Sequence, residues 1–303
     1  MSRPRSARQT GRRRVATRTR ASKSGASGRN ARSQSCDNHH LYQASVQCVE
    51  SDIDFIDRVF KRKVGRRCNI LREDFCGTAW LSCEWVRRRP EHRAIGVDIH
   101  KPTLDWARKH NVPSLGDAAD RLTLIQEDVR KVRQPRVDAV MALNFSYFLF
   151  KDRDTLRSYF QAVYDSLAPD GVLFTDAFGG TESMSEEVEK RKIDRSVQPD
   201  GCEVPKFTYV WEQARFNTVN HDILCHIHFE LGKEKKIKKA FTYDWRLWTL
   251  PEIQELMGEA GFREVEVYMD GWDDGEEEGD GVFRRRTYFE NMAGWVAYIV
   301  GVK

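Results

Sequence analysis

A short apolar segment that runs into an acid and a tight turn constrains the fold of this chain more than any other feature. Residues 70–79 read Ile-Leu-Arg-Glu-Asp-Phe-Cys-Gly-Thr-Ala, and a second apolar segment, residues 94–97, ends at Asp98. Strand, small-residue turn, helix, strand and acid in this order are typical of a doubly wound sheet that binds a nucleoside, with the second acid on the ribose hydroxyls. We therefore expect an α/β fold with a nucleoside site at these strand ends.

The turn itself indicates which class of nucleoside cofactor fits. A dinucleotide fingerprint is Gly-x-Gly-x-x-Gly, because the pyrophosphate lies against bare backbone at a helix N-terminus. Gly77 is the only glycine here; Cys76 and Thr78 flank it, and Phe75 and Ala79 stand where other glycines would be. The turn therefore favours a cofactor without a phosphate and disfavours a nicotinamide dehydrogenase.

This segment resembles motif I of class I S-adenosylmethionine-dependent methyltransferases, in which an apolar strand and an acid precede Gly-Cys-Gly-Thr-Gly. The acid and the central three residues match, as Glu73, Cys76, Gly77 and Thr78. The longer string 71–79 resembles a bacterial branch of that superfamily that carries Arg-Glu-Asp-Phe-Cys-Gly-Thr-Ala. The resemblance implies S-adenosyl-L-methionine as the cofactor and methyl transfer as the reaction.

Strand-like and helix-like segments alternate along the rest of the chain, as in a parallel sheet. The predicted strands are residues 68–73, 94–98, 122–125, 137–143, 172–176, 265–268 and 295–302. The predicted helical segments are residues 37–64, 81–88, 103–109, 156–167 and 251–260. The order at the end of the chain resembles the methyltransferase sheet. We therefore predict a doubly wound, mainly parallel seven-stranded sheet with an antiparallel last strand, a Rossmann-like methyltransferase fold.

Residues 181–249 interrupt this alternation. They contain three strand-like segments, residues 207–213, 223–231 and 240–248, with a turn predicted at 233–236. We expect a small antiparallel β insertion over the carboxyl ends of the parallel strands, where ligands of such sheets bind. Residues 37–303 are thus predicted to form one methyltransferase domain with a β-rich substrate lid.

Charge is distributed unevenly along the chain. The net charge is +4, from 50 basic and 46 acidic side chains. Residues 1–36 hold ten Arg, one Lys and no acid, which leaves 39 basic and 46 acidic side chains, a net charge of −7, for the rest. The composition of residues 1–36 predicts a disordered basic tail. A transit peptide and a phosphate-binding arm are the alternatives, and nucleic acid is expected as a partner only through this tail.

The cysteines and the hydropathy of the chain indicate where in the cell the protein is expected. The seven cysteines are scattered and form no Cys-x-x-Cys pair. Such a set predicts reduced thiols in a cytosolic protein. A run of about 18 apolar residues, which a membrane-spanning helix needs, does not occur in the sequence. We expect a cytoplasmic location, or an organellar one if the tail is a transit peptide.

The resemblance implies roles for individual residues at the cofactor. The predicted cofactor site consists of Glu73, Cys76, Gly77, Thr78, Asp98, Ile99, Asp128, Val129 and Asn144. Glu73 is expected to bind the amino group of the methionine part, and Asp98 both ribose hydroxyls. Asp128 is expected to accept a hydrogen bond from the adenine amino group while the Val129 N–H meets a ring nitrogen. Asn144 is expected at the sulfonium end.

Aromatic residues suggest an acceptor site. The predicted substrate residues are Tyr42, Tyr147, Tyr209, Trp211, Tyr243 and Arg246. The insertion's aromatics either pack a small sheet or form a pocket for a small amine or flat ring, with Arg246 on a carboxylate. Base methyltransferases often carry (Asn/Asp)-Pro-Pro-(Tyr/Phe) after strand four. Residues 144–147 lack both prolines, which weakens a base-methylating interpretation.

Candidate metal ligands are few. His226 and His228 form a His-x-His pair without a third ligand at a recognisable spacing. The pair His39-His40 lies at the start of the predicted helical segment 37–64. The acidic run 273–280 lacks the alternating oxygen ligands of a calcium loop. We therefore predict no metal site.

Methyl transfer from a sulfonium is a one-step displacement, so the enzyme aligns the reactants, excludes water and needs a base only for a protonated nucleophile. No catalytic residue is assigned on this basis. The leading prediction is methylation of a nitrogen or oxygen of a small-molecule acceptor. The alternatives are an RNA or protein methyltransferase that uses the basic tail, and a non-catalytic S-adenosylmethionine-binding protein, which Phe75 in a glycine position keeps open.

Overall fold

The structure, a computed structural model, describes residues 36–232, 235–271 and 280–303. Most of the predicted basic tail, residues 233–234 of the predicted turn and most of the acidic run lie outside these ranges. The helices are α1 (Asn38–Val46), α2 (Val49–Val64), α3 (Trp80–Arg88), α4 (Lys101–His110), α5 (Arg153–Ser166) and α6 (Leu250–Glu259). None of these helices has the length and apolar character needed to cross a membrane.

The strands come in two main groups along the chain. They are β1 (Ile70–Asp74), β2 (Arg93–Asp98), β3 (Leu122–Gln126), β4 (Val137–Ala142), β5 (Leu167–Gly179), β6 (Glu187–Ile193), β7 (Ser196–Val197), β8 (Glu203–Val204), β9 (Phe207–Phe216), β10 (Asp222–Leu231), β11 (Lys235–Arg246), β12 (Glu264–Met269), β13 (Arg284–Arg286) and β14 (Trp295–Val302). Strands β6 to β11 form the insertion, and the others form the main sheet.

Within the described residues the main sheet has eight strands, in the order β13-β12-β14-β5-β4-β1-β2-β3. Strands β1 to β5 are parallel, and β14 lies antiparallel between β5 and β12. The predicted mainly parallel sheet is confirmed, but the predicted count of seven strands is wrong. The extra strand, β13, consists of three exposed arginines, so no apolar alternation marks it in the sequence.

Helices cover both faces of this sheet. Along β4, Val140 and Ala142 belong to the buried cluster that includes α5 and α6, whereas Ala139 and Met141 belong to the cluster that includes α2 and α3. A strand buried on both faces reads as a continuous apolar run. The strand order reverses between β4 and β1, and ligands of doubly wound sheets bind outside the carboxyl ends of the strands at such a point.

The insertion is a four-stranded antiparallel sheet of order β11-β10-β9-β6, with the short pair β7 and β8 beside it. Three of these strands were predicted. Strand β6 was missed because its residues, Glu-Val-Glu-Lys-Arg-Lys-Ile, are mostly charged. Ile223 and Trp245 of this sheet share one buried cluster with Phe148 and Phe178 of the main body. The insertion is therefore packed onto the main sheet through a common core.

One disulfide corrects the cysteine prediction. Cys36 and Cys202 form a disulfide, with their Cα atoms 6.3 Å apart and a separation of 166 positions in the chain. The expectation that all seven cysteines are reduced thiols is therefore wrong for this pair. Only folding brings the two residues together, so no local spacing announces the bridge.

A buried ion pair lies at the carboxyl end of β1. Arg72 and Asp74 are each 1% exposed, and Arg72 Nε lies 2.8 Å from Asp74 Oδ1. Arg72 Nη1 donates to the Val132 carbonyl at 2.7 Å, and the Tyr159 hydroxyl donates to Asp74 Oδ2 at 3.0 Å. Arg72 is therefore held inside the fold by Asp74 and Val132. This pair ties β1 to the segment after β3 and to α5.

Loss of one partner of this pair is expected to destabilise the fold strongly. Arg72→Met leaves the Asp74 carboxylate buried without its cation, which lowers the free energy of unfolding by about 3–5 kcal/mol. Urea titration monitored by circular dichroism measures this. The control is Lys101→Met, which breaks the exposed pair with Asp105 and changes stability by less than about 1 kcal/mol. Equal effects of the two substitutions would contradict the interpretation.

Candidate active site

A cleft lies at the carboxyl ends of β1, β2 and β4, where the strand order reverses. Its volume is about 250 Å³, against about 10 Å³ for a second cavity beside Trp211 and Gln213, and it is therefore the candidate site. The predicted residues that line it are Tyr42, Glu73, Cys76, Gly77, Thr78, Asp98, Asn144 and Tyr243. The turn after β1, the end of β2, the loop after β4, α1 and β11 thus meet at one place.

The turn after β1 presents its backbone to this cleft. Phe75, Gly77 and Ala79 have φ values of +57°, +51° and +53°. This left-handed region is unfavourable for residues with a Cβ atom. The Phe75 ring packs 5.7 Å from the Tyr159 ring, which helps to offset that cost. A Cβ atom at Gly77 would have its nearest neighbour 3.9 Å away, on Thr103, so the positive φ, and not crowding, favours glycine at this position.

Asp98 holds the turn in place. The Gly77 N–H donates to Asp98 Oδ2 at 2.8 Å, and the His100 N–H donates to Asp98 Oδ1 at 2.7 Å. Each carboxylate oxygen has a second lone pair. Asp98 can therefore position the turn and still accept hydrogen bonds from two adjacent hydroxyls of a ligand in the cleft.

Glu73 lies beneath the turn as a buried acid. Its Oε2 accepts hydrogen bonds from the Ser82 N–H at 2.9 Å and from the Ser82 hydroxyl at 2.5 Å. Burial raises the pKa of Glu73, the two hydrogen bonds from Ser82 lower it, and the charges of Asp98 and Asp74 raise it. The resulting pKa is about 7. A carboxylate whose charge is destabilised in this way is stabilised by a nearby cation.

The loop after β4 is held by a second carboxylate. The N–H groups of Asn144 and Phe145 donate to the two carboxylate oxygens of Asp176 on β5, each at 2.9 Å. Both residues have a φ of +58°. Asn144 and Ser146 line the cleft. Tyr147 is fully buried, and its hydroxyl donates to the Asp176 carbonyl at 2.9 Å, so it does not face the cleft.

Asp128 and Val129, the predicted adenine contacts, are not among the residues that line the cleft. Arg130 binds Asp128 through two guanidinium nitrogens, at 3.0 Å to Oδ1 and 2.6 Å to Oδ2, and this pairing lowers the pKa of Asp128. Val129 is buried, and Ile99 is 70% exposed next to Asp98. An adenine amino group would have to share Asp128 with Arg130.

One of the predicted aromatic residues of the insertion, Tyr243, lines the cleft together with Tyr42. Tyr42 of α1 and Tyr243 of β11 line the cleft, and their hydroxyls are hydrogen-bonded to each other. Burial raises the pKa of Tyr42 to about 12 and that of Tyr243 well above its usual value. Both phenols are therefore neutral near pH 7, and they present an aromatic wall without charge.

The other predicted substrate residues have partners elsewhere. Trp211 lies at the small second cavity, and the Arg191 guanidinium lies over the Tyr209 ring. Arg246 stacks on Trp248 at 3.8 Å and pairs with Glu252 at 2.8 Å. Tyr209, Trp211 and Arg246 do not belong to the set of residues that lines the cleft.

Residues that were not predicted as site residues also line the cleft, and two of them belong to the aromatic side. His39 of α1 and Phe241 of β11 line it, and their ring centroids are 5.9 Å apart. No motif marks them, because α1 and β11 reach the cleft only through the tertiary fold. The two histidines of the His-x-His pair have separate side-chain partners, since His226 bonds to Thr242 and His228 bonds to Glu212.

The segment that forms much of this cleft is similar in sequence to a known protein family. Residues 75–171, which contain the turn, Asp98 and the loop after β4, match the protein family described as "Methyltransferase domain". This part of the chain, from the turn after β1 to the start of β5, is similar to a methyltransferase domain. The protein is accordingly an enzyme that transfers methyl groups, and S-adenosyl-L-methionine is its cofactor. No curated protein sequence matches the chain.

Solved structures show the same fold at low sequence identity. DesVI of Streptomyces venezuelae is 18% identical over 89% of this chain and 99% of its own, with a TM-score of 0.62. CalS10, an amino pentose methyltransferase from Micromonospora echinaspora, is 15% identical over 87% and 95%, with a TM-score of 0.61. KedS8, a sugar N-methyltransferase from Streptoalloteichus sp ATCC 53650, is 15% identical over 93% and 99%, with a TM-score of 0.59.

The cleft of this methyltransferase fits its cofactor chemically. The cofactor offers an ammonium group, two ribose hydroxyls and a sulfonium whose methyl group is already activated for displacement. The cleft offers a buried acid in Glu73, an acceptor pair on Asp98 and uncovered backbone at Gly77. These three features lie at the end of β1, in the turn that follows it and at the end of β2, where doubly wound sheets bind a nucleoside.

Asp98→Ala is expected to weaken S-adenosylmethionine binding about ten-fold or more, or about 1.4 kcal/mol, because two hydroxyl contacts and the clamp on Gly77 are lost together. Isothermal titration calorimetry measures this. Asp105→Ala, an exposed acid on α4, is the control. Since Asp98 also supports the turn, the unfolding midpoint is measured in parallel. An unchanged dissociation constant in a folded variant would contradict the assignment.

Glu73 is expected to make stability pH-dependent. Its pKa is about 7 in the folded state against an ordinary value of 4.5, so the folded state binds more protons than the unfolded state between these values. Its contribution to the free energy of unfolding therefore falls as pH rises from 4.5 to 7.

Urea titrations at pH 5 and pH 8 measure this contribution as the difference between wild type and Glu73→Gln. Relative to that variant, wild type is expected to lose stability at pH 8. Glu91→Gln, an exposed glutamate, is the control. A difference that does not change with pH would contradict the buried-acid interpretation.

Proposed function

We propose that this enzyme methylates a nitrogen or oxygen of a small-molecule acceptor by direct displacement. The observation that carries the proposal is the aromatic wall of Tyr42, Phe241 and Tyr243, which lines the same cleft as the motif turn and Asn144. Such a wall suits a compact, largely apolar or neutral acceptor.

The roles proposed for the cofactor residues follow from their surroundings. Glu73 binds the ammonium group, and Asp98 binds the ribose hydroxyls. The backbone at Gly77 lies along the cofactor, and exposed Ile99 covers the adenine ring. Asn144 borders the sulfonium end, where Asp176 holds its backbone in place.

The chain's contribution to the reaction is alignment and exclusion of water. S-adenosylmethionine supplies an activated methyl group, so no residue has to form a covalent bond. The buried hydroxyls of Tyr42 and Tyr243 stay protonated near neutral pH, and they orient an acceptor by hydrogen bonding without removing its proton. An acceptor that arrives as a free amine suits such a site, because its lone pair is available without removal of a proton.

An amine nitrogen is the acceptor atom that we favour. An uncharged amine is a better nucleophile than an alcohol when no general base assists. The names of two solved structures with this fold describe an amino pentose methyltransferase and a sugar N-methyltransferase. An amino sugar or a similar small amine is therefore the first acceptor class to test.

The experiment is a competition between acceptor classes. Methyl-labelled S-adenosylmethionine is incubated with the full chain and a panel of amino sugars, other small amines, alcohols, total RNA and protein. We expect label in a small amine, with a rate that changes little between 50 and 200 mM salt. Label only in RNA, with a rate that falls about 10³-fold or more over that range, would overturn the proposal in favour of a nucleic-acid acceptor.

Tyr243→Ala is expected to lower kcat/KM for the small acceptor at least ~10-fold, because it removes the centre of the aromatic wall and the partner of Tyr42. The dissociation constant for S-adenosylmethionine should stay within about two-fold. Tyr288→Ala is the control, since Tyr288 is 78% exposed. Equal losses for acceptor and cofactor would show that Tyr243 does not belong to an acceptor site.

A further inference from the structure

Three residues far apart in the chain converge beside the cleft. His40 lies on α1, His110 is the last residue of α4, and Asp200 lies between β7 and β8 of the insertion. Their side chains are 1%, 6% and 9% exposed. The imidazole nitrogens and the carboxylate oxygen all lie within 4.8 Å of one another. The methyl-transfer site described above uses none of these three side chains.

One carboxylate oxygen of Asp200 contacts both imidazoles. Asp200 Oδ2 lies 3.0 Å from His40 Nε2 and 2.7 Å from His110 Nδ1. The other oxygen of Asp200, Oδ1, accepts a hydrogen bond from the Cys202 N–H at 2.9 Å. Asp200 is thus oriented by its own loop, with one oxygen directed at both imidazoles.

A second layer of contacts fixes the imidazoles. His40 Nδ1 lies 2.9 Å from Asp37 Oδ1, and the Trp106 indole N–H donates to Asp37 Oδ2 at 2.6 Å. The Trp106 ring stacks on the His110 ring with centroids 4.3 Å apart. A carboxylate on the far nitrogen of a histidine is the usual support for a metal-ligating imidazole, because it sets the tautomer and raises the basicity.

The charge balance of the cluster points to a divalent cation. Asp200 brings a negative charge into the cluster, where it is 9% exposed, and Asp37 adds a second negative charge at the edge, where it is 46% exposed. Buried charges are costly unless they are compensated, and one divalent ion compensates both. Two imidazole nitrogens and one carboxylate oxygen, with water in the fourth position, are a common ligand set for zinc and similar ions.

We propose that His40, His110 and Asp200 bind one divalent transition-metal ion of the zinc class. The ion acts as a structural clasp that fastens α1 to α4 and to the insertion. Because α1 also carries His39 and Tyr42 to the cleft, the clasp holds one wall of the active site. This proposal is independent of the acceptor proposed above.

The test uses the full chain without a polyhistidine tag, after dialysis against a chelator that is then removed. Co²⁺ is titrated into the protein, and the visible d–d absorption of protein-bound cobalt is followed. We expect saturation at about one ion per chain, loss of the band on addition of Zn²⁺, and a higher thermal unfolding midpoint with Zn²⁺. Absence of a saturable band at micromolar protein concentration would overturn the proposal.

Variants decide where the ion binds. Asp200→Asn, which keeps the side-chain shape, and His110→Ala are expected to lower Co²⁺ affinity at least ~10-fold and to remove the stabilisation by Zn²⁺. His228→Ala, which removes one histidine of the separate His-x-His pair, is the control and should bind as wild type does.

Unchanged binding in Asp200→Asn and His110→Ala, or lost binding in His228→Ala, would overturn the assignment. Circular dichroism establishes that each variant is folded, and S-adenosylmethionine binding is measured alongside. If one cluster variant fails to fold, the other variant and the wild-type stoichiometry decide the question. No saturable cobalt band in the wild type would leave a metal-free hydrogen-bonded cluster and contradict the proposal.

Discussion

The buried ion pair between Arg72 and Asp74 is the interaction on which the candidate site depends. It binds the last residues of β1 to the Val132 carbonyl and to the Tyr159 hydroxyl of α5, and Glu73 lies between the two partners in the chain. A charged pair of this kind adds little net stability compared with apolar packing, but its geometry is demanding. It therefore fixes where β1 ends, and with it the floor of the cleft.

Hydrogen bonds from backbone N–H groups to a carboxylate stabilise both turns that border the cleft. In each case a carboxylate on a neighbouring strand accepts backbone N–H groups from a turn with left-handed residues. Asp98 of β2 holds Gly77 after β1, and Asp176 of β5 holds Asn144 and Phe145 after β4. Left-handed backbone at residues with a Cβ atom persists only where the surroundings impose it. Here the imposed turns are the ones that face the ligand.

The opposite wall of the cleft comes from elements outside the doubly wound core. Helix α1 and strand β11 supply Tyr42, Phe241 and Tyr243, and both elements are anchored at a distance from the cleft. The insertion shares a buried cluster with the main sheet, while α1 is tied to α4 and the insertion through His40, Asp37 and the Cys36–Cys202 disulfide. This wall is thus built on rigid supports, which is what alignment of two substrates requires.

The sequence by itself determined the parallel sheet, the motif turn and the cofactor class, because strand periodicity and the residues 70–79 are local signals. It did not reveal β6 and β13, whose residues are mostly charged, or the pairing of Cys36 with Cys202. It also listed Tyr147 and Arg246 as substrate residues, although their contacts lie elsewhere. Only the tertiary structure decided which aromatics face the cleft and that His40, His110 and Asp200 meet. Contacts between residues tens of positions apart leave no spacing in the sequence, because packing of distant elements sets them.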